Sequence, residues 1–260
     1  MADAPQTVKP QTKPLAPIAL KNVAGFFTLV TTLQRRMPGM PNIGVMYGHS
    51  GYGKSYASIY AENKTGAIRV EMGEKWTAGD LCRAILLEGG VGNPKGRTAR
   101  LVEQVNDILG ESRERPLIID EADRLISRNV VEVVRDFADK SQAPVLLIGE
   151  EMFPSKLQAV ERVHNRVLSW YGAIPSDLED AKKLAQAVAP GVVFADDLVD
   201  MFRVKGEGRA RRIVNSLHYA AEWARNANVK ELSLANYQGG VFTGDAPQPR
   251  SAKKLFGRAA

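Results

Sequence analysis

From about residue 19 to residue 175, short apolar runs take turns with stretches in which apolar positions recur every three or four residues. The segment ALKNVAGFFTLVTTLQRRM places Val23, Phe26, Phe27, Val30 and Leu33 on one side of a helix. PNIGVMYG then predicts a short buried strand, KSYASIYAENK a helix and GAIRVEMG a second strand. TAGDLCRAILLEGG and RTARLVEQVNDILGES predict two helices in one connection, with Thr77 as the N-cap of the first. RPLIIDEADRL predicts a strand that ends in acids and NVVEVVRDFADKS a helix. APVLLIGEE predicts a strand, PSKLQAVERVHNR a helix and VLSWYGAIP a last strand. Such alternation predicts an α/β fold, a parallel sheet with helices on both faces.

Beyond Pro175 the alternation stops. SDLEDAKKLAQAVA, ADDLVDMFRVK, GRARRIVNSLHYAAEWARNAN and the short LSLANYQ predict an all-helical segment. The expected organisation is therefore a proline-rich disordered tail over residues 1–18, an α/β domain over 19–175, a small C-terminal helical domain over 176–243 and a basic disordered tail over 244–260. No internal repeat or heptad run is present.

Composition narrows the class. Apolar residues make up 44% and charged residues 25% of the 260 positions, enough for a sizeable core. The single cysteine, Cys82, excludes an internal disulfide framework and reads as a small core residue. The N-terminal segment lacks the apolar stretch of a signal peptide, and no apolar run reaches the ~18 residues of a membrane span. A cytoplasmic protein without a membrane partner is expected. The net charge of +6 suits a polyanionic partner.

The sharpest signal is Gly48-His49-Ser50-Gly51-Tyr52-Gly53-Lys54-Ser55, which fits G-x-x-x-x-G-K-[ST] between a predicted strand and a predicted helix. Glycines let the backbone curl so that successive N–H groups converge on phosphate oxygens, and the helix N-terminus adds its positive dipole end. Lys54 is expected to reach the β- and γ-phosphates of a nucleotide such as ATP, and the Ser55 hydroxyl to ligate Mg²⁺. Further on, Leu117-Ile118-Ile119 leads to Asp120 and Glu121. Asp120 at the carboxyl edge of the sheet is expected to hold Mg²⁺ through water, and Glu121 to polarise the attacking water as a general base.

With these residues in place the chain resembles the AAA+ ATPases, P-loop NTPases with a parallel sheet flanked by helices and a small C-terminal all-helical lid. The LIIDEADRL form and the size resemble the ATP-dependent DNA transposition proteins of the Mu phage B type. More distant resemblances are to TnsC, IstB and the origin-recognition ATPases. The resemblance implies three further elements. The polar residue that ends the VLLIG strand is usually Asn or Thr, and here it is Glu150, with Glu151 beside it. An arginine acting in a neighbouring subunit's site is expected from VERVHNRVLSW, Arg166 first and Arg162 second. A G-x-x-R start to a lid helix occurs twice, as Gly206 to Arg209 and Gly208 to Arg211, and Arg211 alone opens a helix with a coherent apolar face through Val214 and Leu217. Arg209 and Arg212 remain as DNA contacts or solvated charges.

The same resemblance implies double-stranded DNA held by loops that follow the second strand. Here these are GEKWTAGD and NPKGRTAR, with Lys75, Lys95, Arg97 and Arg100. Such contacts go to phosphates and read no sequence. Trp76 reads as packed under its loop. Arg250, Lys253, Lys254 and Arg258 in the tail offer further attraction for DNA or a docking site for a transposase. Mu B-type proteins carry a helix-turn-helix domain ahead of the ATPase, so here DNA contacts are expected from the ATPase portion and the basic tails. The implied function is an ATPase that self-assembles as a ring or helical filament on DNA and selects targets for a transposase. The rival implied functions are a replication initiator or helicase loader, and a protein-remodelling ATPase without DNA contact.

Overall fold

The computed structural model describes residues 18–112 and 114–245. Within these, five parallel strands form one sheet in the order β2-β3-β4-β1-β5, with β1 at Ile43–Tyr47, β2 at Ile68–Glu71, β3 at Leu117–Asp120, β4 at Val145–Gly149 and β5 at Val167–Gly172. The helices are α1 (Lys21–Gln34), α2 (Lys54–Thr65), α3 (Ala78–Glu88), α4 (Thr98–Glu111), α5 (Asp123–Ser127), α6 (Val131–Ser141), α7 (Phe153–Gln158), α8 (Glu161–His164), α9 (Leu178–Val188), α10 (Asp196–Lys205) and α11 (Ala210–Ala227).

The sheet separates two cores because consecutive strand residues point to opposite faces. Leu117, Ile119, Val145 and Leu147 enter one core with α3, α4 and α6. Ile118, Leu146 and Ile148 enter the other, with α1, α2 and the C-terminal helices. Strands buried on both faces read as unbroken apolar runs, which is why PLII and PVLLI were legible. In α1, Val23, Phe26, Val30 and Leu33 are buried as the periodicity requires, joined by Leu29, while Phe27 is half-buried against Tyr60.

Thr77 caps α3 in a reciprocal box. Its Oγ1 accepts from the Asp80 N–H, and the Asp80 carboxylate accepts from the Thr77 N–H at 3.0 Å. Helices α3 and α4 run side by side in the same direction. A Cβ on Gly79 would lie 3.3 Å from Thr98 Oγ1 at the start of α4, and one on Gly89 would lie 3.4 Å from Ile108 near its end. Cys82 is fully buried in α3, and burial pushes its thiol up to about 11. Native protein is therefore expected to resist a thiol reagent such as dithionitrobenzoate and to react only when unfolded. Rapid stoichiometric labelling of native protein would contradict this placement.

Four boundaries differ from the sequence pattern. The third strand stops at Asp120 because Glu121 adopts a left-handed conformation, φ 57°, and ADRL begins α5. The helix predicted from PSKLQAVERVHNR is two helices, with Val160 leaving helical geometry at ψ 74°. LSLANYQ forms no helix: Leu232 ends a short strand and Leu234 to Asn236 form a turn. Two short strands that pair in parallel also follow Pro175, β6 (Val193–Phe194) between α9 and α10 and β7 (Glu231–Leu232) after α11. Ile18, the last residue of the expected N-terminal tail, packs into the fold, its N–H donating to Tyr56 Oη at 2.9 Å. The remainder of that tail and Arg250, Lys253, Lys254 and Arg258 lie outside the described residues. Among the described residues, no helix is long and apolar enough to cross a membrane.

Candidate active site

Strands β1 and β3 flank β4, so the residues that follow all three meet at the carboxyl edge of the sheet. A cavity of about 360 Å³ opens there. The glycine loop, Asp120, Glu121 and the end of β4 form its polar side. Ile18, Leu20, Tyr56, Leu184, Val188 and Val214 form an apolar side.

The loop conformation follows from its glycines. Gly48 has φ 150°, and a Cβ there would come within 2.8 Å of Ala173 Cβ, so only glycine allows this approach to the chain leaving β5. Gly53 has φ 85° and supplies the N-cap of α2 without a side chain, which leaves the first N–H groups of that helix free of side-chain capping. Gly53, Lys54 and Ser55, at this uncapped helix start, line the cavity, and a helix N-terminus favours an anion. Lys54 Nζ donates to the carbonyls of Gly48 at 2.6 Å and His49 at 3.0 Å. Burial lowers its pKa, opposed by the charges of Asp120, Glu121 and Glu150. His49 is half-exposed beside Tyr52, its Nε2 3.9 Å from Glu151.

Asp120 is buried. One oxygen accepts from the Glu121 N–H at 3.0 Å, and the other faces Arg69 at 3.3 Å. Arg69, on β2, also donates to Ser58 Oγ at 2.7 Å, and that hydroxyl donates to the Ser55 carbonyl at 2.7 Å. One guanidinium thus connects the two residues expected at the metal. Burial raises the Glu121 carboxyl above its ordinary range, and Arg124 pulls it down. The Arg124 guanidinium lies 3.7 Å from Glu121 and 3.3 Å from Glu74 in the loop after β2. Glu150 lines the cavity with an exposed side chain, and its N–H donates to Asp123 at 2.6 Å.

Among the three arginines near α11, only Arg211 lines the cavity. Among the described residues its guanidinium has no hydrogen bond or ion pair. Arg209 instead donates to the Ser50 carbonyl at 3.1 Å and pairs with Glu207, and Arg212 pairs with the same Glu207 at 3.1 Å. Arg166 sits at the opposite edge of the sheet. Its carbonyl accepts from the Ile43 N–H at the start of β1, roughly 15 Å of strand from the loop. There it makes a two-pronged ion pair with Asp139, at 2.7 and 3.3 Å. Arg166 is not brought to its own chain's cavity, and Arg162 on α8 is exposed.

Lys75, Lys95, Arg97 and Arg100 are all exposed. The side-by-side run of α3 and α4 brings the two loops together, since Thr98 lies beside Gly79 and Thr77. Arg100 is paired with Glu103 at 3.0 Å. Trp76 is half-buried, its indole packed over Gly73 and against the core.

The donor set fits a magnesium nucleotide. A serine hydroxyl and a carboxylate are hard oxygen ligands, and Mg²⁺ takes few protein ligands when phosphates and water supply the rest. Sequence patterns had not pointed to the apolar wall, Arg69, Arg124 or the clasping role of Arg209.

Residues 39–157 match the family model of an AAA domain. None of the curated proteins matches the chain. Solved structures similar to it include the Aeropyrum pernix ORC1 protein in complex with DNA (TM-score 0.61, 16% identity, 85% of this chain and 65% of that one). CDC6P from Pyrobaculum aerophilum is similar at TM-score 0.60 and 15% identity, over 86% of this chain and 66% of that one. Domain III of the Thermotoga maritima replication initiation protein DnaA is similar at TM-score 0.54 and 16% identity, over 85% of this chain and 95% of that one. The chain thus spans about 65% of the length of the first two. The parallel sheet, its helices and its phosphate-type loop are a P-loop AAA+ fold.

Proposed function

We propose that the chain is an ATP-hydrolysing, DNA-binding switch that assembles on duplex DNA without reading sequence and, in that state, selects targets for a transposase. The observation that carries the nucleotide part is the single cavity edge on which Lys54, Ser55, Asp120, Glu121 and Arg211 converge opposite an apolar wall. The apolar wall suits a purine, and the glycine loop wraps the phosphates with N–H groups from Gly48 to Ser55, His49, Ser50 and Tyr52 included. Lys54 leaves the Gly48 and His49 carbonyls to neutralise the terminal phosphates. Ser55, and Asp120 through water, would hold Mg²⁺, which would supply positive charge to offset that of the phosphates. Glu121 orients the attacking water and takes its proton. Arg211 faces the phosphates from the lid side. Arg166 of one subunit, with Arg162 as the alternative, acts on the nucleotide of the next, which makes hydrolysis depend on assembly.

The Lys75 and Arg97 loops supply the DNA contacts, with Lys95 and Arg100 beside them. Phosphate neutralisation predicts a salt-dependent affinity whose log–log slope falls by about 0.9 per contact removed. Removing Lys75 and Arg97 together is therefore expected to lower the slope by about 2, read by fluorescence anisotropy on a labelled duplex across salt concentrations. An unchanged slope would move the DNA elsewhere on the molecule.

Resemblance of the LIIDEADRL segment to the Mu B type supports the transposase partner. A replication-initiator role is favoured by a different observation, the likeness in fold to ORC1 in complex with DNA and to DnaA. DNA-stimulated ATP hydrolysis is common to both. Further stimulation by a transposase supports the first role, and loading of a replicative helicase supports the second.

A further inference from the structure

Backbone N–H groups that converge on an anion leave their carbonyls pointing outward. In this loop three consecutive outward carbonyls are each captured by a different external group. The Ser50 carbonyl accepts from Arg209 at 3.1 Å, the Gly51 carbonyl from the Arg211 N–H at 3.3 Å and the Tyr52 carbonyl from the Asn22 amide at 2.8 Å. Asn22 is buried in the first turn of α1, and both ends of its amide are used. Its Nδ2 also donates to the Ile174 carbonyl at 2.7 Å, while its Oδ1 accepts from the Ile174 N–H at 3.0 Å and Tyr171 Oη at 3.1 Å. An amide has four such positions, and here all four are filled by the glycine loop, by Tyr171 of β5 and by Ile174 in the segment that leaves it.

The contacts close a circuit. From Ile174 the chain runs to Ser176, whose N–H donates to the Gly208 carbonyl at 2.8 Å. A Cβ on Gly208 would meet Pro175 at 2.5 Å, so this glycine sits flush against the leaving segment. Gly208 is followed by Arg209 and Arg211, which return to Ser50 and Gly51. Segments 174–176 and 208–211, which lead into α9 and α11, are thereby both tied to the outer face of one loop.

We infer that Asn22 and Arg209 are positioning residues that transmit the loop's nucleotide state to the C-terminal helices. The inference rests on the nucleotide reading above. Phosphates that fix the loop's N–H groups also fix its carbonyls, and the carbonyls hold the segments that lead into α9 and α11. Neither residue needs to touch the nucleotide.

Hydrogen–deuterium exchange of the full chain tests this with a non-hydrolysable ATP analogue and Mg²⁺ at saturation. In the wild type, exchange is expected to slow about tenfold in the loop and in segments 172–178 and 208–214, which are drawn into one cooperative unit. In Asn22→Ala the loop stays protected by the analogue while protection of 172–178 disappears. Arg209 is only partly buried, and its side chain belongs to neither hydrophobic core, so Arg209→Ala should fold normally. It is expected to lose protection at 208–214 alone. Wild-type protection of these segments in both variants would overturn the inference and leave the nucleotide reading standing. No protection of the loop in the wild type would overturn both.

Discussion

Replacing Glu121 by glutamine is expected to lower ATP turnover by two to four orders of magnitude, the range a positioned general base contributes. Affinity for ATP is expected to stay within a few-fold of wild type. The two effects separate because Glu121 lines the cavity, held by its own positive φ and by Arg124, whereas the phosphate contacts are proposed for other residues. Glutamine keeps the size and one acceptor, so the φ 57° backbone, which places the side chain, is preserved. What is lost is the capacity to take a proton. Single-turnover hydrolysis and equilibrium binding of a fluorescent ATP analogue measure the two quantities separately. Turnover within threefold of wild type would remove Glu121 from the chemistry and leave Glu150, the other carboxylate on the cavity, as the group to test.

Lys54→Ala is expected to weaken ATP binding by about a hundredfold or more, which corresponds to roughly 2.8 kcal/mol at about 1.4 kcal/mol per tenfold. A charge-assisted contact to phosphate in a partly desolvated site is worth this much, because water does not replace it well. The effect on the nucleotide-free protein is smaller. Lys54 donates there to two loop carbonyls, and the loss of ordinary hydrogen bonds of this kind costs about 1 kcal/mol each. Calorimetric titration with ATP, beside a thermal melt without ligand, separates the two costs. Equal affinity in variant and wild type would contradict the role given to Lys54.

The polar half of this site was legible because its chemistry is local. Gly48 to Ser55 are contiguous, and Asp120 and Glu121 end an apolar run that two-sided burial makes recognisable. Thr77 was legible for the same reason, since its partner Asp80 is three residues away. The apolar half was not. Ile18, Tyr56, Leu184 and Val214 come from four separate elements or segments, and each reads in sequence as an ordinary apolar residue of its own stretch. Asn22 carried no signal either, because its four partners lie 30 and about 150 residues away. The end of β3 was misplaced because Glu121, which breaks the strand, is not a glycine, and a left-handed conformation at a non-glycine residue carries no reliable mark in sequence. The break between α7 and α8 has no glycine or proline to announce it. There the burial of Leu157 and Val163 in the same core sets the path of the chain.

Every role proposed for these residues depends on this cavity receiving a magnesium nucleotide. Isothermal titration of the wild-type chain with ATP, in the presence of Mg²⁺ and at moderate salt, measures that claim with the fewest intermediate steps. The predicted result is saturable binding of one ATP per chain, weakened when Mg²⁺ is removed by chelation. Titration without saturable heat at millimolar ATP, in protein shown by circular dichroism to be folded, would contradict it.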